Sequence, residues 1–408
     1  MATAQQLNDL AVGLVKEGHS VTVIASDRGY DDPSRRFARH ETWQGVKIIR
    51  ISSLMLGKQK RWHRAANFAT FLATCSLRLL LSPRFDVVVA LTSPPLISFL
   101  GALFVRIKGG KFFFWVMDLN PDEAIAAGWL RPDSLTEKVL SRLLRYSLMH
   151  AERVIALDRF MKSRIVDKGI SEGRVVVLPP WAHTDSVKFD QPGREAFRKQ
   201  YNLENSFVVM YAGNHSPCHP LNTLIEAARR LSSRQEIVFC FVGGGSEQAE
   251  VRKFAAFHKL ENVRCLPYQP FDVLSASLSA ADLHVVIMGN KFVGIVHPSK
   301  LYNILTVGSP FLYIGPKETH ISEIAAENNG DHISYAATHG DVDAVVNNIL
   351  LAATNKGEEV ERRVPRLAKA FSKDALLPRM IELLESDVVT DTEIPSKSSS
   401  ASCMSATR

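Results

Sequence analysis

The chain has 408 residues, and this length predicts two domains of ordinary size rather than one. Its composition, 46% hydrophobic and 22% charged, is typical of a globular protein. The net charge of +7 suits an anionic substrate, an acidic membrane surface or nucleic acid, and solubility alone explains it equally well. We expect no nucleic acid partner, because no lysine- or arginine-rich block resembles a nucleic-acid-binding arm and the aromatic residues show no stacking pattern.

The five cysteines are widely spaced and form no C-x-x-C pair. Their odd number and their spacing argue against a disulfide framework and against a zinc site, and they favour a reducing, cytoplasmic location. The N-terminus opens directly into a helical pattern rather than into a signal peptide. The cysteines are Cys75, Cys218, Cys240, Cys265 and Cys403.

One uncharged stretch, 87–105, approaches the length of a membrane-spanning helix. Pro94 and Pro95 stand in its middle, and the polar residues Thr92 and Ser93 precede them. Because two adjacent prolines interrupt a helix, we predict a buried strand, a turn and a buried helix here.

Strand and helix patterns alternate along the first half, which predicts an α/β fold with parallel sheets. The strands are nearly continuous apolar runs, as in sheets covered on both faces. The pattern at 61–81 carries basic residues around an apolar body, and two interpretations stay open: a core-facing helix, and a peripheral contact with the inner face of a membrane. The predicted strands are 19–26, 45–52, 85–91, 111–119, 152–157 and 174–180, and the predicted helices are 5–17, 61–81, 95–108, 134–150 and 159–169.

A polar segment without a strand pattern, 184–205, separates the first domain, 1–183, from a second alternating series at 206–357. A helical pattern at 358–386 is predicted to cross back to the first domain, and the Ser/Thr-rich tail at 387–408 is predicted to be disordered. The strands predicted in the second domain are 207–213, 236–245, 262–268, 282–288, 310–315 and 332–337, and the helices are 220–232, 246–259, 271–281, 298–307, 319–327 and 342–354.

Ligands of open parallel sheets bind beyond the carboxyl ends of the strands, and the informative loops lie there. In YAGNHSPCHP, Gly213 permits close backbone approach, and the following helix offers free N–H groups to a phosphate. His215 and His219 add donors, although an ordinary strand-to-helix turn explains this loop as well. With Cys218 they resemble part of a metal site, but no fourth ligand follows. The glycines at 243–245 leave space for a ligand but do not fit G-x-G-x-x-G.

The segment HPSKLYNILTVGSP gives the sharpest signal. Pro298 and Ser299 begin a predicted helix, with Ser299 as its N-cap, and Lys300 falls in the first turn. A lysine there opposes the helix dipole unless an anion binds at that end. We therefore single out Lys300 as an anion-binding residue, with a solvated surface lysine as the alternative. Asn303 falls on a nearby face at helical spacing.

In the first half, MDLNPDEA places Asp118 at the end of a hydrophobic strand, as an acid/base or acceptor-orienting group at the cleft. Asp122 and Glu123 are predicted to start a helix. A purely structural helix start capped by Asn120 is the alternative for this segment.

Together these segments resemble the family 4 glycosyltransferases, which are retaining enzymes of the GT-B fold. The nearer match is the bacterial branch that builds exopolysaccharide and O-antigen and includes the fucosaminyltransferase-like enzymes. The resemblance covers nearly the whole chain and implies two Rossmann-like domains that face a central cleft, with the donor mostly on the second. It is carried by ATAQQLNDLAVGLVKEGHSVTVIAS, MDLNPDEAIAAG, ERVIALDRFMKSRI, RVVVLPPWA, LNTLIEAA, FVGGG and PSKLYNILTVGSPFL.

The resemblance implies three groups of donor-binding residues: a phosphate-side turn with a glycine loop, a segment whose backbone reads the nucleobase, and a phosphate-contacting P-S-K. In that order they are Gly213, Asn214, Gly243 and Gly244, then Leu266 and Tyr268, then Ser299 and Lys300. His215 joins the predicted donor-binding residues from its own place in the loop and not from the resemblance.

Two departures from the family's pattern concern the donor site. The family's pair of glutamates falls near Ile295 and on Asn303, so a ribose hydrogen bond remains while the sugar-contacting carboxylate is missing. His215 and His219 stand where many relatives carry Arg and Lys, which puts more of the charge neutralisation on Lys300.

The N-terminus is a third departure. Relatives place a strand and a glycine-bearing loop before the segment that matches 2–4. That first strand is central in a Rossmann order, so its loss would expose a large buried area. We expect an incomplete start, with a damaged first domain as the alternative.

The implied reaction moves a sugar from a nucleoside diphosphate, a UDP-sugar, to a hydroxyl of a glycan or lipid-linked acceptor in cell-surface polysaccharide biosynthesis. Because no D-x-D-like pair stands at a suitable strand end, a lysine and a helix N-terminus would stabilise the departing diphosphate, without metal or cofactor. Retention by front-face attack, with a phosphate oxygen taking the acceptor proton, needs no protein nucleophile. The alternatives are a UDP-sugar epimerase and a non-catalytic or impaired GT-B protein that binds a nucleotide sugar or a partner.

Overall fold

The structure is a computed structural model, and it describes residues 2–29, 35–54, 56, 61–327, 333–355 and 366–386. The predicted tail at 387–408 and the start of the predicted helix at 358–386 lie outside these residues.

The first half alternates strands and helices, as predicted. In chain order its elements are α1 (Ala2–Lys16), β1 (Thr22–Ser26), β2 (His40–Trp43), β3 (Val46–Ile51), α2 (Arg61–Leu80), β4 (Val87–Ala90), α3 (Ile97–Lys108), β5 (Lys111–Trp115), α4 (Asp122–Ala126), α5 (Leu135–His150), β6 (Arg153–Ala156), α6 (Arg159–Asp167) and β7 (Val175–Val177). The last four strands form a parallel sheet in the order β4-β5-β6-β7. Because β5 and β6 are covered on both faces, they consist of buried apolar residues after the half-buried Lys111 and Arg153 that begin them.

The uncharged stretch at 87–105 forms β4, a turn and the first part of α3, in the predicted order, but β4 is only half-buried, with Val87 exposed and Ala90 buried. Among the described residues, no helix combines the length and the apolar character needed to cross a membrane. Helix α2 buries Cys75 and leaves Leu77 and Leu80 exposed, so both interpretations of this helix stay open.

A separate three-stranded sheet has the order β1-β3-β2, in which β1 is parallel and β2 antiparallel to β3. The sequence did not predict β2, because all four of its residues are exposed and give no hydrophobic alternation. The turn between β2 and β3 uses Gln44 and Gly45, both with positive φ, as a two-residue hairpin that follows the strand twist requires.

The first half thus holds two sheets rather than one. Within the described residues, α1 is the first element, and no hydrogen bonds of a sheet join β1 to β4. Both are edge strands: β1 is half-buried along its length, and Val87 of β4 is 37% exposed. The expected Rossmann order places its first strand between β1 and β4, which is where the two sheets separate.

The second half contains one six-stranded sheet, entirely parallel. Its elements are α7 (Gln191–Gln200), β8 (Phe207–Asn214), α8 (Asn222–Arg230), β9 (Ile237–Gly244), α9 (Ser246–Phe257), β10 (Val263–Leu266), α10 (Leu274–Ser279), β11 (Leu283–Ile287), α11 (Lys300–Thr306), β12 (Phe311–Ile314), α12 (His320–Glu327), β13 (Ser334–Ala337) and α13 (Val342–Asn355). The order β10-β9-β8-β11-β12-β13 is the doubly wound Rossmann order, and it reverses between β8 and β11. This half has the predicted architecture.

The polar segment at 184–205 contains α7, which docks on the second sheet through a buried carboxylate. Asp282 lies 2.5 Å from Arg194 and 3.2 Å from Arg198 of this helix. Its Oδ2 also accepts a hydrogen bond from the backbone N–H of Val208 at 2.8 Å. The three charged groups therefore anchor α7 to β8.

After α14 (Arg366–Ala370), the final helix α15 (Lys373–Glu385) returns to the first half. Leu377 and Ile381 pack on Gly13 of α1, and Glu385 lies 2.6 Å from the imidazole of His19. Near the start of α15, Lys373 pairs with a carboxylate of α1 at 3.1 Å and with one of the connecting segment.

The substitution Asp282→Asn should leave two buried arginines without their countercharge. We expect the free energy of unfolding to fall by about 3 kcal/mol in urea denaturation. The control Asp343→Asn removes the exposed partner of Arg230 and should cost less than about 1 kcal/mol. Similar losses in both variants would contradict the anchoring role.

Candidate functional site

The carboxyl ends of β8 and β9 lie side by side, next to the point where the strand order reverses. At these ends Gly213 pairs with Gly243, and Asn214 pairs with Gly244. Helix α11, which follows β11, reaches the same place and sets Lys300 against Gly213. The structure therefore brings three of the predicted loops together.

Glycine is required at the two central positions. Gly213 and Gly243 have φ values of +127° and +132°, which residues with a Cβ rarely adopt. A Cβ on Gly213 would lie 3.2 Å from Nζ of Lys300, and a Cβ on Gly243 would lie 2.0 Å from the carbonyl oxygen of Gly213. Two backbones and an amine pack here with no space for a side chain.

The amine of Lys300 is buried and electrostatically uncompensated. Its Nζ lies 3.6 Å from the ring centroid of Tyr211 and has no hydrogen-bond partner among the described residues. Burial lowers the pKa of this amine to about 7. A buried amine without a hydrogen-bond partner would be stabilised by an anion that reached it at the ends of β8 and β9.

Ser299 does not cap α11 with its side chain, so this prediction is wrong. Its backbone is helical, with φ −63° and ψ −13°, and its hydroxyl makes no capping hydrogen bond. A serine cap requires an extended backbone that turns the hydroxyl back toward the first N–H groups.

His215 and His219 are neutral at neutral pH. Nδ1 of His215 lies 3.0 Å from the carbonyl oxygen of Gly213, and Nδ1 of His219 lies 2.8 Å from that of Ile287. Because a carbonyl only accepts, both Nδ1 atoms carry the proton. Burial first, and the charge of Lys300 second, lower the pKa of His215 to about 4 and that of His219 to about 3. Neither histidine supplies positive charge to the site.

The loop after β10 joins the glycine loop. The hydroxyl of Tyr268 donates to the carbonyl oxygen of Gly244 at 3.0 Å, and its ring lies against that glycine. Gln248 of α9 donates to the carbonyl oxygens of Gly243 and Leu266, at 3.0 and 3.2 Å. The predicted nucleobase segment and the glycine loop are thus held as one unit.

Asn303 faces the connection between the halves. Its Oδ1 accepts a hydrogen bond from the backbone N–H of His183 at 3.2 Å. A ribose contact by Asn303 stays a prediction, and the side-chain nitrogen is the atom left for it.

Asp118 lies three residues after β5, beside the turn that follows β4, where its N–H donates to Oγ1 of Thr92 at 3.3 Å. Burial, reinforced by Glu123, raises the pKa of Asp118 to about 7. Glu123 is in the first turn of α4, as predicted, and burial raises its pKa as well. Asn120 donates to one oxygen of Glu123 at 3.2 Å, and the thiol of Cys218 donates to the other at 3.6 Å. Glu123 of the first half therefore meets the loop after β8.

Sequence reasoning missed Tyr211, Gln248 and the contact of Glu123 with Cys218. Tyr211 had a usable signal, because residues two apart in a strand share a face and Gly213 follows it at that spacing. The other two had none, since a glutamine in a first helical turn and a cysteine in a loop identify no partner.

Two family models cover most of the chain. Residues 2–181 match the glycosyl transferase 4-like domain, and residues 193–363 match the glycosyl transferases group 1. The chain is 25% identical over 325 residues to WcaI of Escherichia coli (strain K12), whose name describes it as a glycosyl transferase of colanic acid biosynthesis. The match covers 76% of this chain and 79% of WcaI. It is 26% identical over 245 residues to WbjE of Pseudomonas aeruginosa, named as a glycosyltransferase, with 60% and 61% covered.

A solved structure of Anabaena HepE in complex with UDP-glucose has the same fold. Its TM-score is 0.64 at 15% identity, and the match covers 84% of this chain and 86% of HepE. The chain therefore has the GT-B fold, with a first part that matches a glycosyl transferase 4-like domain and a second part that matches the glycosyl transferases group 1.

Proposed function

We propose that this chain transfers a sugar from a UDP-sugar to a hydroxyl of a glycan or lipid-linked acceptor, with retention, in cell-surface polysaccharide biosynthesis. The observation that carries the proposal is the buried, uncompensated amine of Lys300 at the carboxyl edge of a Rossmann sheet. The two matched domains and the names of WcaI and WbjE support the class of reaction. The UDP-glucose in the HepE complex supports the class of donor.

In this proposal the donor diphosphate lies against Lys300 and the backbone of Gly213 and Asn214. The close approach of Lys300 to Gly213 supports this placement, because an anion that reaches the backbone of Gly213 also comes close to the amine. The nucleobase lies against the segment that carries Leu266 and Tyr268.

The chemistry follows from the charge of Lys300. As the bond from the anomeric carbon to the diphosphate oxygen breaks, negative charge grows on the leaving group. A preorganised ammonium in a dry site stabilises that charge more strongly than water does. The acceptor oxygen bonds to the anomeric carbon on the same face, and its proton passes to a phosphate oxygen of the leaving diphosphate. No protein nucleophile takes part.

In this proposal Asp118 binds the acceptor. Its raised pKa leaves it part ionised near neutral pH, and its ionised form accepts a hydrogen bond from the acceptor hydroxyl. Glu123 lies beside it and, through Cys218, contacts the loop after β8.

Lys300→Met should abolish turnover and also stabilise the fold. We expect donor turnover, measured as UDP release, to fall about 100-fold or more. The lysine is charged in the unfolded chain below pH 10.5 but loses its proton near pH 7 in the folded chain. The free energy of unfolding that is lost by burying this charge is therefore largest below pH 7, and the loss disappears as the pH rises to 10.5. The variant should gain about 1–3 kcal/mol at pH 6, and this gain should shrink as pH rises.

The exposed Lys291 offers a matched control for that prediction. Lys291→Met should change neither UDP release nor the dependence of urea unfolding on pH. Unchanged turnover in Lys300→Met would contradict the phosphate role, and lost stability at pH 6 would contradict the uncompensated charge.

UDP binding should take up a proton above pH 7, where the diphosphate itself is already ionised. Free Lys300 is largely neutral there, and a bound diphosphate favours its ammonium form. The affinity should fall by up to about tenfold per pH unit above pH 7. Calorimetric titration at pH 8, in buffers of different ionisation enthalpy, should measure an uptake of about one proton. The same uptake in Lys300→Met would assign it to another group.

Asp118→Asn should lower the turnover of the donor-saturated protein about 100-fold and leave UDP affinity nearly unchanged. Since the ionised carboxylate is the active form, wild-type turnover should rise with pH through about 7, and the variant should lose that rise. As a control, Asp122→Asn removes the neighbouring carboxylate that pairs with Lys168 at 2.7 Å and should keep turnover within about twofold. A retained pH dependence in Asp118→Asn would exclude this role.

The same assays distinguish the two alternative functions. An epimerase would convert the UDP-sugar without releasing UDP. A binding protein would show UDP affinity and proton uptake without turnover in the presence of any acceptor.

A further inference from the structure

A buried network joins the two halves at Asp158, the N-cap of α6. Its Oδ1 accepts a hydrogen bond from the backbone N–H of Met161 at 2.8 Å. Its Oδ2 accepts from Nδ1 of His297 at 2.7 Å and lies 3.3 Å from Nδ1 of His320. Nε2 of His297 accepts in turn from the hydroxyl of Tyr302 at 2.7 Å. The aspartate belongs to the first half and the other three network side chains to the second.

The cluster of Asp158, His297 and His320 is close enough to share a metal ion, but its geometry suits hydrogen bonds better. The two imidazole rings stack 3.8 Å apart with 15° between their planes. The lone pairs of the ring nitrogens therefore lie in two nearly parallel planes and cannot both point at one ion. Burial alone would raise the pKa of Asp158, but the hydrogen bond from His297 and the nearby His320 lower it to about 2. A charged carboxylate thus holds the network.

The network includes side chains on both sides of Lys300 in the sequence. His297 lies three residues before Lys300, and Tyr302 lies two residues after it. The ring of Tyr302 is fixed further by Phe371, 4.7 Å away between centroids. Since the amine of Lys300 has no hydrogen bond of its own among the described residues, the backbone that carries it and the ring of Tyr211 decide where it points.

We propose that Asp158, acting through His297 and Tyr302, is a positioning residue that sets the amine of Lys300 from across the domain boundary. The proposal rests on the phosphate role proposed above for Lys300. Capping α6 needs only one oxygen of Asp158, whereas the second oxygen reaches a histidine 139 positions away in the sequence.

A neighbouring contact supplies the matched control. Arg159 pairs with Glu323 of α12 across the same boundary, and both side chains are partly exposed. Arg159→Gln cuts this cross-domain pair without touching the network. Tyr302→Phe removes one hydroxyl and keeps the ring, the cap of α6 and the bond between Asp158 and His297.

The decisive measurement is UDP affinity in two backgrounds. In the otherwise unaltered chain, Tyr302→Phe should weaken UDP binding about tenfold and lower the donor kcat/KM by a similar factor. In the Lys300→Met background it should leave UDP affinity unchanged, because no amine remains to be misplaced. Arg159→Gln should leave UDP affinity unchanged in both backgrounds.

Equal weakening of UDP binding by Tyr302→Phe in both backgrounds, or by Arg159→Gln, would overturn the proposal in favour of general loosening. Urea unfolding provides a readout that needs no nucleotide. The shift of the urea midpoint in the double variant should differ from the sum of the shifts in Tyr302→Phe and Lys300→Met. A shift equal to that sum would also overturn the proposal. If the unaltered chain neither binds UDP nor turns over a donor, the proposed function fails, while the unfolding cycle still decides the positioning role.

Discussion

The site depends on one uncompensated charge, the amine of Lys300 held against the backbone of Gly213. Removing an ammonium from water without an anion costs free energy. Two features reduce that cost: the face of the Tyr211 ring, and a pKa lowered to about 7 that lets the amine shed its proton. The surroundings follow from this placement. Gly213 and Gly243 must lack side chains, because a Cβ on either would meet the amine or the neighbouring backbone.

Burial and the same charge act together on the neighbouring histidines. Burial first, and the charge of Lys300 second, lower the pKa of His215 and of His219, so both stay neutral and do not replace cations. In the proposed site, an anion would be neutralised by one side chain of the described residues, that of Lys300, and by backbone dipoles. A titrating lysine would make such a site sensitive to pH in a way that a guanidinium, which keeps its proton, would not.

Much of the architecture could be predicted, because buried parallel strands are continuous apolar runs whatever their partners are. The sequence also singled out Lys300, because its conflict with the start of a helix is local, and its anion-binding role stays a prediction. The failures have physical causes. Strand β2 is exposed on both faces and shows no periodicity, and Ser299 has the residue type of a cap but a helical backbone. Asp158 has the local pattern of an ordinary helix cap, and nothing near it in the sequence indicates partners more than a hundred positions away.

The dual use of Asp158 shows why its residue type is more constrained than its place at a helix end suggests. Serine, threonine or asparagine caps a helix about as well as aspartate. Only a carboxylate caps α6 with one oxygen and offers a charged acceptor to His297 with the other. Further contacts cross the same boundary, from Glu123 to Cys218 and from the N–H of Leu119 to the carbonyl oxygen of Ile295 at 2.8 Å. In the proposed function, these interdomain hydrogen bonds would fix Glu123 of the first half and the segment of Lys300 relative to each other.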